Sequence, residues 1–290
     1  MKTAAVIGAN GFLGSCLVKK LISEDLNIIA VYNINSGNIL PNVKAIYKEE
    51  FLKTTYDIDF IYFLSGNYTN THKDLIEINY DLQRYIAKYP NIKFVYISST
   101  NVYGFHSEDI TENSTFNNPS LYARFKLAGE FLISSLSNYS IIRLTYLYGP
   151  GINNASFLPT IIRSAKENSE IILNGNGSRY QDYLYIDDAV DLCYIAANIQ
   201  DNRIYLGATG IKTSNIEVAS IISNITNCDI KYLGEERAQS FSFNPNETCS
   251  FFSYHSGLQI KSKPNTKTGA ITQTNKINFS FNFLFVIIRL

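Results

Sequence analysis

Short apolar runs of strand length alternate with longer segments of helical period through the first half of this chain. "TAAVIG" (3–8), "NIIAVY" (27–32), "VKAIY" (43–47), "IDFIYFLS" (58–65), "IKFVYISS" (92–99) and "SIIRLTYLY" (140–148) read as six strands. Between them, "FLGSCLVKKLIS" (12–23), "HKDLIEINYDLQRYIAKY" (72–89, stopped by Pro90) and "SLYARFKLAGEFLISSL" (120–136) read as helices. Strands apolar on both faces, separated by helices, belong to a parallel sheet covered on both sides. The pattern predicts an α/β fold with a doubly wound, Rossmann-type sheet.

After Gly151 the pattern loosens. "FLPTIIRSAKEN" predicts a helix, "SEIIL" a short strand, and "NGNGSRYQD" a polar glycine-rich loop. "YLYIDDAVDLCYIAANI" predicts a strand entering a helix, and "RIYLGA" a strand that returns to the sheet. From Thr213 the elements read as short and mixed. The expected division is a nucleotide-binding domain over 1–150, rejoined by 183–208, and a smaller interleaved lobe over 151–290. The final apolar stretch, Phe279 to Leu290, is shorter than the about 20 residues a membrane-spanning helix needs. It suits an edge strand, a dimer contact or an altered reading frame, and nothing in it selects one.

Gly8, Gly11 and Gly14 form GxxGxxG between the first strand and the first helix. Glycines there let the backbone turn tightly and approach a pyrophosphate, and the helix N-terminus offers N–H groups and a positive dipole end. A rival reading takes the opening stretch as a lipoprotein-type signal cleaved before Cys16. Gly8, Asn10 and Gly11 break its apolar run, and cleavage would remove the first strand. The acidic residue that usually follows the second strand is absent, and Asn33 stands at that strand end. Its amide can accept a ribose hydroxyl. No Arg follows to receive a 2′-phosphate, which favours NAD and leaves NADP open.

Ser99 closes the fifth strand at the sheet edge where open α/β folds bind ligands. Tyr122 and Lys126 are four apart in the following helix and share one face. A free phenol has a pKa near 10, too high for a base at neutral pH. A neighbouring ammonium favours the phenolate. Tyr122 can then take a proton from a substrate hydroxyl while Ser99 hydrogen-bonds the same oxygen.

These stretches together resemble the extended short-chain dehydrogenase/reductase family, in its NAD-dependent sugar epimerase/dehydratase branch, from Met1 to Leu206. "GANGFLG", "SSTNVYG", "YARFKLAGE", "RLTYLYGPG" and "GNGSRYQDYLYIDDA" carry the resemblance. It implies that the opening stretch is a cofactor turn, with Asn10, Phe12 and Leu13 joining the three glycines around NAD. It implies that Tyr122 is the base, that Lys126 lowers its pKa and binds the nicotinamide ribose, and that Ser99 holds the reacting oxygen. Asn79 matches a supporting asparagine. Leu64, Ser65 and Gly66 match the loop that lines the cofactor, and Tyr148 approaches the nicotinamide end.

The departures bear on the reaction. Family members that eliminate water carry Asp-Glu where Thr100 and Asn101 stand, which disfavours a dehydratase. Tyr146 replaces a substrate-binding Asn. Gln181 replaces the Arg that grips the diphosphate, a role Arg179 can take instead; with Ser99, Thr100, Asn101 and Tyr146, both are the substrate-binding positions the resemblance implies. The resemblance implies an epimerase of a nucleotide-activated sugar, acting at C4 through a keto sugar. The alternatives are a reductase of a nucleotide-linked 4-keto sugar and a non-catalytic NAD(P)-binding sensor or scaffold. It also implies a homodimer through the helices bearing Tyr122 and Asn79.

With 25 basic and 25 acidic residues the formal charge is zero, so no basic excess points to nucleic acid or an anionic membrane. The cysteines at 16, 193, 228 and 249 form no CxxC pair and have no His at ligand spacing, so no metal site is expected. They read as reduced thiols of a cytoplasmic protein, with a Cys228–Cys249 disulfide as a lesser option.

Overall fold

The computed structural model describes residues 1–66 and 71–256. In chain order the first part runs β1 (Thr3–Ile7), α1 (Phe12–Ser23), β2 (Asn27–Tyr32), β3 (Lys44–Tyr47), α2 (Lys48–Lys53), β4 (Phe60–Phe63), α3 (His72–Lys88), β5 (Lys93–Ser99), a 3₁₀ turn (Thr100–Tyr103), α4 (Leu121–Ser134) and β6 (Tyr139–Leu144). Then follow β7 (Tyr146–Tyr148), α5 (Phe157–Asn168), β8 (Glu170–Asn174), β9 (Tyr180–Gln181), β10 (Tyr183–Tyr185), α6 (Ile186–Asn198), β11 (Arg203–Gly207), β12 (Thr213–Ser214), α7 (Asn215–Thr226), β13 (Asp229–Leu233) and α8 (Asn246–Ser256).

Seven strands form one sheet in the order β11-β6-β5-β4-β1-β2-β3. Every pairing in it is parallel. This is the doubly wound arrangement, and the order reverses beside β1. Period-two alternation sends Ala4 and Val6 to one face, where Leu17 and Leu21 of α1 and Cys193 and Ala196 of α6 cover them. Ala5 and Ile7 face the other side, with Phe51 of α2, Leu82 and Tyr85 of α3 and Ile133 of α4. Residues 3–7 are thus a central strand, and Cys16 lies inside α1. The signal-peptide reading fails for that reason.

"SIIRLTYLY" is two strands, not one. At Thr145 the N–H donates to Gly207 O at 3.0 Å and the hydroxyl to Asp182 O at 3.1 Å. The chain there leaves the large sheet, and β7 pairs in parallel with β10. The predicted loop 174–182 contains β9, which pairs antiparallel with β12. β8 pairs with β13.

The region after Thr213 is more regular than its sequence suggests. α7 opens with a capping box in which Ser214 and Glu217 satisfy each other's backbone N–H groups. Its Val218, Ala219 and Ile222 pack against Leu158, Ile161 and Ile162 of α5. The short α2 lacks a helical apolar period; two charged partners bring it onto α3. Arg84 pairs with Glu49 at 2.6 Å, and Lys48 with Asp81 at 2.8 Å.

No disulfide joins the four cysteines, and Cys228 and Cys249 are both buried. Among the described residues no helix is long and apolar enough to cross a membrane. The Phe279–Leu290 stretch lies outside the described residues.

Candidate active site

The glycine turn is built by close approach. A β-carbon at Gly14 would stand 2.2 Å from the Gly8 carbonyl oxygen, and one at Gly8, where φ is +89°, would stand 3.1 Å from Ser65 N. Only glycines let α1 begin this near the end of β1. Gly11 is the N-cap and has no side chain to cap α1. The N–H groups and dipole of that first turn suit a pyrophosphate. The residues present therefore fit a dinucleotide.

The neighbours divide the work differently from their sequence grouping. Asn10 donates to Asn35 Oδ1 at 2.7 Å, accepts from Asn38 N at 2.7 Å, and takes the Asn38 side chain on its carbonyl at 2.9 Å. Its amide thus holds the loop after β2, where Asn33 is exposed. Leu13 is buried in the core and can offer a ligand only its backbone. Phe12 is half-buried, and its ring lies near Gly149. Leu64 N donates to Ile7 O at 2.9 Å, which ties the loop after β4 to the tip of β1.

Ser120 caps α4 by accepting from Ala123 N. This fixes the first turn of the helix, which carries Tyr122. Tyr122 and Lys126 are both buried, and the Lys126 ammonium lies 6.0 Å from the Tyr122 ring centroid. Lys126 Nζ donates to Ile97 O at 2.9 Å and to Ser65 O at 3.4 Å. An ammonium has three N–H groups, so one remains for a ribose hydroxyl. A β-carbon on Gly66 would be 3.5 Å from Lys126 Nζ. Burial pushes the Lys126 ammonium down to about 8, against the pull of Glu130. At neutral pH the charged form still dominates, by about ten to one. Ser99 Oγ accepts from Asn101 N at 3.2 Å, leaving its proton free to donate to a substrate oxygen. Asn79 donates to Phe125 O at 3.0 Å and so braces α4 from α3. Asn79, Tyr96, Tyr122 and Lys126 help to line a cavity of about 10 Å³, room for about one water.

Sequence reading missed a buried hub below this site. Glu130, one turn beyond Lys126, accepts from Ser98 Oγ at 2.5 Å and pairs with Arg143 through bonds of 3.0 and 2.6 Å. The Arg143 guanidinium lies over Tyr103 and Phe116, at 4.8 and 5.2 Å. The hub links α4, β5, β6 and the loop after β5. A Glu eight residues past Tyr122 was the available signal, since i+4 and i+8 share the helical face.

On the substrate side, Asn101 lines an open cleft of about 500 Å³, with Ser120 and Gln239 among its other walls. Thr100 is buried in the 3₁₀ turn. Arg179 Nε donates to the backbone oxygen of Gln239, a cleft-lining residue, at 3.0 Å. Gln181 lies apart: it is 1% exposed, and its amide donates to Tyr183 Oη and Asn215 Oδ1. The expectation that Gln181 contacts substrate is corrected on that ground, because its amide is buried and both of its N–H groups are committed to Tyr183 and Asn215. Tyr146 is half-buried with its ring 6.2 Å from that of Tyr183. Tyr148 is buried in the small-lobe core, 5.3 Å from Tyr185. Asp182 accepts from Thr209 and Gly210, the latter at 2.7 Å. Burial pushes its carboxyl up to about 6 against those donors.

A doubly wound sheet with a glycine cradle at its first turn, and a Tyr–Lys pair on the helix after β5, fits a dinucleotide-binding fold. The chain belongs to the NAD dependent epimerase/dehydratase family, whose model matches residues 4–206. It is 27% identical over 258 residues to a putative UDP-glucose 4-epimerase of Methanocaldococcus jannaschii, covering 79% of this chain and 83% of that protein. It is 25% identical over 268 residues to a dTDP-D-glucose 4,6-dehydratase of Dictyostelium discoideum, covering 76% of this chain but only 61% of that protein. Among solved structures, the UDP-glucose 4-epimerase of Thermotoga maritima with UDP-glucose superposes with a TM-score of 0.79 at 17% identity, covering 99% of this chain and 98% of that one. Epimerases and dehydratases thus both stand among its relatives.

Proposed function

We propose that this protein is an NAD-dependent epimerase of a nucleotide-activated sugar, acting at C4 through transient oxidation to a keto sugar. The observation that carries the reading is the Tyr122–Lys126 pair on one buried face of α4, with Lys126 hydrogen-bonded to the end of β5. NAD, when bound, supplies a reversible hydride acceptor. Tyr122 takes the proton of the C4 hydroxyl as the carbon is oxidised, and returns it as the carbon is reduced from the other face. Lys126 favours the phenolate by charge and orients the ribose with its remaining N–H. Ser99 donates to the reacting oxygen and steadies its developing charge.

The preference over elimination rests on Thr100 and Asn101, neither of which is an acid or a base. Arg179 is the proposed diphosphate contact, since its Nε bond to Gln239 O sets it next to a cleft-lining residue and leaves its Nη groups to donate. The proposed nucleotide-binding domain is 1–150 together with 183–208, with the rest as substrate lobe. The homodimer reading gains support from apolar side chains exposed on α3 and α4: Ile76, Tyr80 and, at 71% exposure, Phe131.

The test uses the purified protein with no added reductant. Extracted cofactor is quantified, and UDP-glucose and its dTDP counterpart are followed by proton NMR. Appearance of the C4 epimer with NAD(H) conserved is expected. Stoichiometric consumption of NAD(P)H on a 4-keto sugar would replace this reading with the reductase. Cofactor binding without turnover would replace it with the sensor.

A further inference from the structure

Three consecutive residues at the end of β5 have three different tasks. The Ile97 carbonyl accepts from Lys126 Nζ at 2.9 Å, and the Ser98 hydroxyl donates to Glu130 Oε1 at 2.5 Å. Ser99 carries the hydroxyl assigned to the reacting oxygen. Lys126 and Glu130 stand four apart on α4 and share a face. The helix that carries Tyr122 is thus fastened to β5 by a cation and, one turn on, by an anion. Tyr96 adds a third bond, its hydroxyl donating to Lys126 O at 3.3 Å.

Glu130 also reaches the other side of the site. Arg143 of β6 is the register partner of Ser98, and its guanidinium takes both Glu130 oxygens, at 3.0 and 2.6 Å. Arg143 lies over the ring of Tyr103, which closes the 3₁₀ turn after Ser99. One carboxylate therefore joins the helix bearing Tyr122 and Lys126 to the strand and turn that flank Ser99. Its charge matters as much as its bonds. Burial strips the Lys126 ammonium of water and disfavours it, and the negative charge of Glu130 acts in the opposite direction. Among the described residues, the other charged or titratable groups about Lys126 are Tyr122 on its own helix, Tyr96 of β5, and Arg143 of β6 paired to Glu130. From α3 the site receives Asn79 and apolar side chains, and from the loop after β4 the Ser65 carbonyl. None of these supplies a second negative charge in place of Glu130.

Resting on the function proposed above, we propose that Glu130 is a positioning residue of this site: its charge keeps Lys126 an ammonium, and its bonds to Ser98 and Arg143 hold α4 against the end of β5, so that Tyr122 has a cation beside it at neutral pH.

The experiment follows lysine labelled with carbon-13 at Cε by NMR in the purified protein, with Lys126→Met identifying the Lys126 signal. This reads the ammonium without any substrate. The wild-type signal should titrate at about pH 8, and in Glu130→Gln it should titrate about one unit lower. The alkaline limb of sugar interconversion should move down with it, and the loss should fall on kcat more than on KM. Glu130→Gln leaves Arg143 without its counter-charge, so Glu130→Gln/Arg143→Gln is measured beside it. That variant leaves no buried ion of the pair unpaired, and its Lys126 signal should move in the same direction. Glu130→Asp keeps the charge and should return the titration toward the wild-type value. A Lys126 signal that titrates alike in the wild type and both neutral variants overturns the inference, whatever their stability, and leaves the epimerase reading standing. A shifted signal with an unmoved alkaline limb overturns it too, because the charge on Lys126 would then not govern turnover. A shifted signal in a protein that interconverts no nucleotide sugar overturns the epimerase reading and leaves Glu130 as the group that keeps Lys126 charged.

Discussion

Gly129→Ala isolates the packing that holds the helix carrying Tyr122 and Lys126. Gly129 lies in α4, one turn after Lys126. On helix propensity alone the change should stabilise by about 1 kcal/mol. The structure opposes it: the new β-carbon would lie 2.2 Å from Tyr96 Oη, 2.6 Å from its Cζ and 3.1 Å from Asn79 Oδ1. Tyr96 cannot swing away, because it is fully buried, stacks on Phe63 at 6.0 Å and donates to Lys126 O at 3.3 Å. Overpacking costs about 1–3 kcal/mol, and loss of the Tyr96 bond adds about 1 kcal/mol. The net expectation is a destabilisation of about 1–3 kcal/mol, so overpacking outweighs propensity. Urea denaturation reads it as a lower midpoint at constant slope, and turnover should fall as α4 shifts Tyr122. Adding Tyr96→Phe removes the atom in closest contact and should recover part of the loss, with a coupling of about 1 kcal/mol. A Gly129→Ala protein as stable as wild type, or more so, would refute the packing described for α3, α4 and β5.

Three further outcomes follow from other parts of the molecule. Glu130→Ala leaves Arg143 charged, buried and unpaired, so urea titration should show a loss of about 3–5 kcal/mol; a loss under 1 kcal/mol would remove the hub from any structural role. Lys126 carries a folded pKa depressed to about 8, below its ordinary value, so between pH 8 and 10 the unfolded chain holds the extra proton and stability rises with pH. Lys126→Met should remove about 3 kcal/mol of that rise, although Lys93, also pushed down to about 8 by burial, keeps its own share; parallel pH curves for variant and wild type would contradict the burial of Lys126. On the proposed homodimer, wild type should sediment as a dimer and Phe131→Asp as a monomer; a monomeric wild type, or a dimeric variant, would contradict an interface through α4.

The large sheet was readable because its strands are buried on both faces, and that burial writes itself as near-continuous apolar runs. Ala4 to Ile7 and Phe60 to Phe63 are the clearest cases. The Tyr122–Lys126 pair was readable for a related reason: helical spacing alone puts both on one face. The break at Thr145 was not, because a hydroxyl bonded to a carbonyl 37 residues away has no local signature. α7 was missed although Ser214 and Glu217 carry a capping signal, since its Asn and Thr residues weaken the apolar period. The cleft escaped for a third reason. Asn117 and Gln239 stand far apart in the chain and meet only in the folded structure. Gln181 misled because a motif position says which residue is present, not which way its amide is bonded.

The central claim is that the Tyr122 phenol moves the proton in each half-reaction. Tyr122→Phe removes one oxygen from a buried ring and leaves Lys126, Ser99 and the glycine turn untouched. Single-turnover and steady-state interconversion of the nucleotide sugar should fall by about 10²–10⁴-fold, while NAD(H) content and affinity stay near wild type. Interconversion within tenfold of wild type would contradict the account, because the proton would then travel by another group.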